Sequence, residues 1–385
     1  MINIFLFLGL VFLLTFLIGR LLEKIRVPWI FSALIIGSLF AIYNPFTSIT
    51  SSSTFEFLAQ LGMYFLLFLI GFEIDLKKLK KSKNFIFKAT FFTLFLATIF
   101  GTLLIHFVFG YSWLISSLVA LSFATVGEAI LIPILDEFKI VNTKLGQSII
   151  GIGTLDDVIE ILLLILVGVV IGSGIHSGSN IILTLISLAV LVILAFSLIK
   201  LKKQDGKLKF ISIEYLFLFI LFVLFLFLGI GKLAHAAPIA ALLAGITLNA
   251  FLPDNRVEGV KTGIKILCYG FFAPIFFLWV GISLDINYLF ASPLLILLVV
   301  AVSNGAKLLG SWMIGRKELG TKQSILLGIG LSVRFSTSII IIKILLDNNL
   351  IEKDLYSVII ASAIILTFLV PVLFSRLLVR WKVTR

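Results

Sequence analysis

Thirteen apolar runs, most of them about 20 residues long, alternate with short loops that carry nearly all of the basic residues. The runs lie at roughly 2–19, 28–43, 55–74, 85–108, 112–135, 145–172, 180–199, 212–232, 236–252, 267–284, 293–314, 322–346 and 356–379. At ~1.5 Å rise per residue most of them reach across a ~30 Å hydrocarbon layer. A composition of 61% hydrophobic residues, 38 of them Phe, with only 13% charged, excludes a soluble domain of this length. The expected fold is therefore an all-α polytopic membrane protein with 13 transmembrane helices. The second and ninth runs are short and hold Pro28 and Pro238, so tilted or bent helices are expected there. Residues 1–19 have no basic leading region and no small-residue cleavage site, which makes the first run a spanning helix and not a signal peptide.

The loop charges fix an orientation. With the N-terminus placed outside, alternation puts 25 basic residues in inside loops and two, Lys232 and Lys353, outside. One missed crossing scrambles such a bias, so the expectation is an external N-terminus and a cytoplasmic C-terminus in the cell membrane. The net charge of +12 is thereby assigned to topology, and nucleic acid is not an expected partner. The single Cys268 excludes an internal disulfide framework. His106, His176 and His235 fall at helix ends or in an outer loop, no His/Cys spacing suits zinc, and no cofactor is expected. The chain reads as one transmembrane unit over 1–385, without a soluble regulatory domain.

An internal repeat is visible. Leu66-Leu-Phe-Leu-Ile-Gly71-Phe-Glu-Ile-Asp75 resembles Ile275-Phe-Phe-Leu-Trp-Val-Gly281-Ile-Ser-Leu-Asp285, offset by 210 residues. An odd number of crossings separates the two copies, so they run in opposite directions. Such an inverted-topology repeat is a common plan of secondary transporters. Two stretches in matching halves read as interrupted helices: Ser122-Phe-Ala-Thr125-Val-Gly127-Glu128 with Pro133 beyond it, and Gly330-Leu-Ser-Val-Arg334-Phe-Ser336-Thr-Ser338. Paired interruptions of this kind point to a binding site near the membrane midplane, where unwound backbone supplies ligands.

The charges inside the apolar runs point to the same place. The acids are Glu128, Asp156, Asp157 and Glu160, and the bases are Lys307, Arg334 and Lys343. One negative charge is in surplus, as a cation site requires. Asp156 and Asp157 lie in the middle of the sixth run, with Glu160 on the same broad helix face. Two adjacent carboxylates in a dry site cannot both stay ionised unless a metal cation, a proton or a basic side chain joins them. A pair that exchanges these three is what cation/proton antiport needs. Lys307 lies deep in the opposite half and is expected to pair with Asp156 or Asp157. Arg334 is expected to be structural, neutralising Glu128 or helix dipoles. Lys343 is expected to snorkel outward, and Glu73 and Asp75 to be solvated. The candidate ion and proton ligands are thus Asp156, Asp157, Thr125 and Glu128, supported by Lys307, Arg334 and Glu160.

Leu61-Gly62-x-x-x-Leu66-x-x-Phe-x-x-Gly71-x-Glu73-x-Asp75, Phe271-Phe-x-Pro274-x-Phe276-Phe-x-x-x-Gly281 and the Asp156-Asp157 helix together resemble the monovalent cation:proton antiporter-2 family over essentially the whole chain. Its NapA-type sodium/proton antiporters have thirteen helices and an outside N-terminus. The resemblance implies a NapA/NhaA-like fold with two crossed, broken helices, the fifth and the twelfth. It implies a mobile core of residues 85–172 and 293–381. Residues 1–84 and 180–285 become a scaffold that carries a homodimer contact. Asp157 becomes the main ion- and proton-carrying carboxylate, holding sodium with Asp156, while Asp156 exchanges between Lys307 and the ion. Paired aspartates in this family go with electrogenic exchange of two protons per sodium. This chain departs from its relatives in two places. Val333-Arg334-Phe335-Ser336 lacks the acid common in the second broken helix, and Glu128 stands where small or hydroxyl residues are usual.

The leading expectation is exchange of sodium or lithium for protons. Potassium/proton exchange or Kef-like potassium efflux is the alternative within transport. Asp156-Asp157-x-x-Glu160 also echoes the diphosphate-binding motif of intramembrane prenyltransferases, but a second acidic motif to hold magnesium is missing. An intramembrane aspartyl protease needs a second, well-buried aspartate on a facing helix, and the sequence offers none.

Overall fold

The structure is a computed structural model that describes residues 3–25, 27–73, 84–127, 131–172, 181–201, 212–233, 236–252, 254–334 and 336–383. It is helical throughout, with no strand among the described residues. In chain order the helices are α1 (Ile4–Lys24), α2 (Phe31–Ile42), a single turn α3 (Thr47–Thr50), α4 (Ser53–Glu73), α5 (Asn84–Phe109), α6 (Trp113–Ala124), α7 (Ile132–Glu137), α8 (Lys144–Gly172), α9 (Ile181–Leu201), α10 (Ile213–Lys232) and α11 (Ala237–Phe251). Then follow α12 (Asp254–Leu267), a π-helical turn (Cys268–Phe272), α13 (Ala273–Ile282), α14 (Ile286–Ala291), α15 (Pro293–Gly315), α16 (Thr321–Gly330), α17 (Ser336–Asp347) and α18 (Lys353–Arg380). By length and composition alone, seven of the described helices are long and apolar enough to cross a membrane.

Every apolar run coincides with a helix or with two helices separated by a break. The differences have local causes. Pro238 sits in the first turn of α11 and Pro28 in the turn before α2. At these places a proline starts a helix, because its missing N–H is one the first turn leaves unpaired anyway. The tenth run begins well before the apolar residues do. Residues 254–267, with their mixed charges, form α12. It is held there by Lys265 Nζ at 2.6 Å and Lys261 Nζ at 3.5 Å from Glu73 Oε1. Glu73, expected to be solvated, is thus the acceptor of two lysines at the end of α4.

The fold repeats itself. Shifted by the 210 residues that separate Gly71 from Gly281, α1, α2, α5, α6 and α8 start within about one turn of α10, α11, α15, α16 and α18.

Contacts divide the chain into two units. The first comprises residues 1–12, 46–75 and 164–279. Its centre is the packing of α4 on α11. A Cβ on Gly71 would strike the backbone carbonyl of Leu242, and one on Gly245 the carbonyl of Phe68, so only glycine lets these two backbones touch. Asn249 Nδ2 donates to Phe72 O at 2.6 Å on the same seam. Nearby, Phe65 stacks on Phe272 with ring centroids 4.2 Å apart.

The second unit comprises residues 13–45, 76–163 and 280–385. Gly281 repeats the device here, set against the carbonyl of Leu34 in α2. The interior is built from α5 packed on α6 and α15, α15 on α16 and α18, and α17 on α6 and α18. Tyr356 OH donates to Val280 O at 2.8 Å, and Asp285 N to Ser357 Oγ at 2.7 Å, tying the start of α18 to the end of α13.

A side chain at either seam must separate two backbones. Gly245→Val is expected to lower stability by about 1–3 kcal/mol or more, read as a lower melting temperature in detergent. Gly229→Ala, where nothing lies within 4 Å of an added Cβ, is the control and is expected to melt like the parent.

Candidate ion-binding site

Both interruptions expected from sequence are present, and the second unit brings them together. The α6 helix stops at Ala124, and Thr125 is extended (φ −72°, ψ 167°). The α16 helix stops at Gly330, and α17 begins at Ser336. Gly127 N donates to Val333 O at 2.9 Å, joining one break directly to the other. The Thr125 and Ser338 hydroxyl oxygens lie 3.5 Å apart across the same junction. Thr125 gives its own hydroxyl proton to Ser122 O at 3.0 Å.

Lys307 of α15 is buried here. Its Nζ donates to Thr125 O at 2.9 Å and to Leu331 O. These are the carbonyls of the residues that end α6 and α16. Helix C-termini carry unpaired carbonyls and a partial negative charge, so a single ammonium satisfies two helix ends at once. An ammonium has three donors, and two are committed to backbone. Asp156 and Glu160, both buried on α8, lie near enough for their fields to act on Lys307, as does that of Arg334. The lysine that sequence placed opposite the aspartates is therefore first a clasp on the interrupted helices.

Arg334 lies in the second break and is buried. Nη1 donates to Ser362 Oγ of α18 at 2.8 Å, and Nη2 to Ser303 Oγ of α15. Its Cζ sits 4.9 Å above the Phe123 ring of α6. Sequence reasoning did not single out Ser303, Ser362, Phe123 or the Leu331 carbonyl. Only Ser303 gave a usable signal, being one turn before Lys307 on the same helix face. Glu128, with its expected pairing to Arg334, lies outside the described residues, and the same is true of the Asp157 side chain. Lys343, expected to snorkel, is instead buried and ion-paired to Asp347 one turn on.

Asp156 and Glu160 stand one turn apart on α8, while Lys307 and the Ser303 anchor of Arg334 stand one turn apart on α15. Two buried acids and two buried bases thus accompany the junction of the two breaks.

The comparisons with known proteins bear on the family and the fold. Residues 10–380 match the family described as sodium/hydrogen exchanger, transmembrane. The chain is 28% identical over 373 residues to a probable Na+/H+ antiporter 3 of Methanocaldococcus jannaschii, covering 94% of each. It is 26% identical over 331 residues to an Na+/H+ antiporter of Enterococcus hirae, covering 82% of this chain and 83% of that one. Among solved structures, that of the sodium proton antiporter MjNhaP1 from Methanocaldococcus jannaschii at pH 8 superposes with a TM-score of 0.64 at 20% identity, over 98% of this chain and 96% of the other. That likeness shows a common fold.

Lys307→Gln takes away the ammonium that donates to both helix ends and that lies in the field of Asp156. Lys307→Gln is expected to cost about 3–5 kcal/mol in thermal unfolding. Adding Asp156→Asn is expected to recover part of that loss. Strictly additive melting shifts in the double variant would show that the two residues are not coupled.

Proposed function

The chain belongs to the sodium/hydrogen exchanger family, a family of multi-pass membrane transporters and not of enzymes; from that premise we propose that it exchanges sodium or lithium for protons at Asp156 and Asp157 by alternating access. The observation that carries the reading is the junction of the two interrupted helices under Lys307, with Asp156 and Glu160 in its field. Asp157 is the main carrier of ion and proton. Asp156 is shared between the cation and Lys307, and Thr125 offers a neutral oxygen. Arg334 and Glu160 set the surrounding charge, and Glu128 flanks the first break.

The cycle follows from the carboxylate pair. With sodium bound, both aspartates are ionised. On release, the two carboxylates that one sodium held together each take a proton. Two protons against one sodium move net charge, so exchange is electrogenic and an inside-negative potential drives protons in and sodium out. Residues 85–172 and 293–381 act as the moving core. Residues 1–84 and 180–285 act as a scaffold that carries a homodimer contact. The chain sits in the cell membrane with its N-terminus outside and its C-terminus in the cytoplasm. A potassium/proton exchanger is the alternative that the test must separate.

The experiment is pH-dye dequenching in proteoliposomes on addition of sodium, lithium or potassium. Sodium or lithium is expected to collapse the gradient, and Asp157→Asn to abolish the response while the melting temperature stays near the parent's. Full exchange by Asp157→Asn would sink the site, and a response to potassium alone would favour the alternative.

Electrogenicity has its own measurement. An imposed inside-negative potential is expected to accelerate proton entry severalfold, since moving one charge across 100 mV is worth about 2.3 kcal/mol. A rate indifferent to the potential would leave one-for-one exchange.

A further inference from the structure

Arg334 is only 1% exposed, and a guanidinium keeps its proton even there. Buried charges are ordinarily paired with an opposite charge. Among the described residues the side-chain partners of this one are all neutral: the Ser362 hydroxyl at 2.8 Å, the Ser303 hydroxyl, and the Phe123 ring face at 4.9 Å. Three helices hold the group, α15, α18 and α6, and Thr367 Oγ1 donates to its carbonyl at 3.3 Å. Its position is thus fixed several times over by described partners that carry no charge. Ser303 precedes Lys307 by one turn on the same face of α15, so the guanidinium is anchored one turn from the ammonium. Its field reaches Lys307 together with the fields of Asp156 and Glu160.

We propose that Arg334 is a fixed positive charge that limits how tightly the Asp156/Asp157 site holds its cation, and that Ser303, Ser362 and Phe123 are the positioning residues that set the strength of this field. The inference rests on the reading that the cation binds at Asp156 and Asp157. A carrier must let its ion go on every crossing, so its site has to bind well enough to load and weakly enough to unload. Three carboxylates on α8 against Lys307 alone would over-stabilise a bound cation in a low-dielectric interior. A second cation restores the balance. The hydroxyls and the aromatic face orient the guanidinium without neutralising it.

The test uses the whole protein. Sodium and lithium chloride titrations at constant ionic strength give the half-saturating concentration from thermal stabilisation in detergent. Dequenching in proteoliposomes gives half-saturation and maximal rate. Arg334→Gln is expected to lower half-saturation at least ~threefold and to lower the maximal rate as well, because release slows. Ser303→Asp places an acid against the guanidinium and is expected to move half-saturation the same way. The pair Ser303→Ala with Ser362→Ala releases the guanidinium and is expected to give a smaller shift in that direction, and Ser303→Thr, which keeps the hydroxyl, to behave as the parent. If Arg334→Gln does not fold, the serine variants decide. Lower melting temperatures with unchanged or raised half-saturation across the series would overturn the inference and leave the exchange reading standing. A parent protein with no response to either cation would overturn both.

Discussion

A helix interrupted inside an apolar layer leaves carbonyls and amides with no water to turn to, each at a cost of several kcal/mol if unmet. The interior of the second unit is organised around that debt. Thr125 and Leu331 end their helices at one place, and a single ammonium reaches both carbonyls. Gly127 N and Val333 O satisfy each other across the junction. The two breaks are mutually dependent, because each supplies what the other lacks. The charges follow from the same geometry. A buried ammonium is ordinarily accompanied by acids, and Asp156 and Glu160 of α8 are buried acids whose fields reach it. Polar backbone in a dry interior thus comes first, the lysine second and the carboxylates third.

Much of this was legible in the sequence because hydropathy and length act directly on the backbone. The apolar runs became helices since lipid-embedded backbone has few other ways to pair its groups. Both interruptions were legible because Thr125-Val-Gly127 and Val333-Arg334 break an apolar pattern in corresponding halves. What stayed hidden depended on partners far apart in the chain. The helix α12 carries too many charges to read as an apolar run and is held by Glu73 from α4. Pro28 and Pro238 look like interruptions until their places in the first turn, or just before it, are seen. Ser303, Ser362 and Phe123 are ordinary residues for their helices, and only the fold gathers them around Arg334. Lys343 misled because depth along a helix says nothing about which neighbours cover it; its partner Asp347 lies one turn on.

Small residues divide the labour with the charged ones. Charges and hydroxyls gather where the backbone is broken, in the second unit. Where the backbone is continuous, glycines at Gly71, Gly245 and Gly281 bring helices into contact with no side chain between them. The repeat sequence carries both parts: its Gly-x-x-x-Asp segments mark the close approaches, and its interrupted helices meet under Lys307.

Those glycine seams have a mechanical meaning. Two helices meeting through interlocked side chains can slide, since rotamers give way one at a time. Two helices meeting backbone on backbone have no side chain between them to give way. At Gly71 and Gly245 in the first unit, and at Gly281 against Leu34 in the second, a larger residue must therefore be accommodated by moving main chain and not by turning a rotamer.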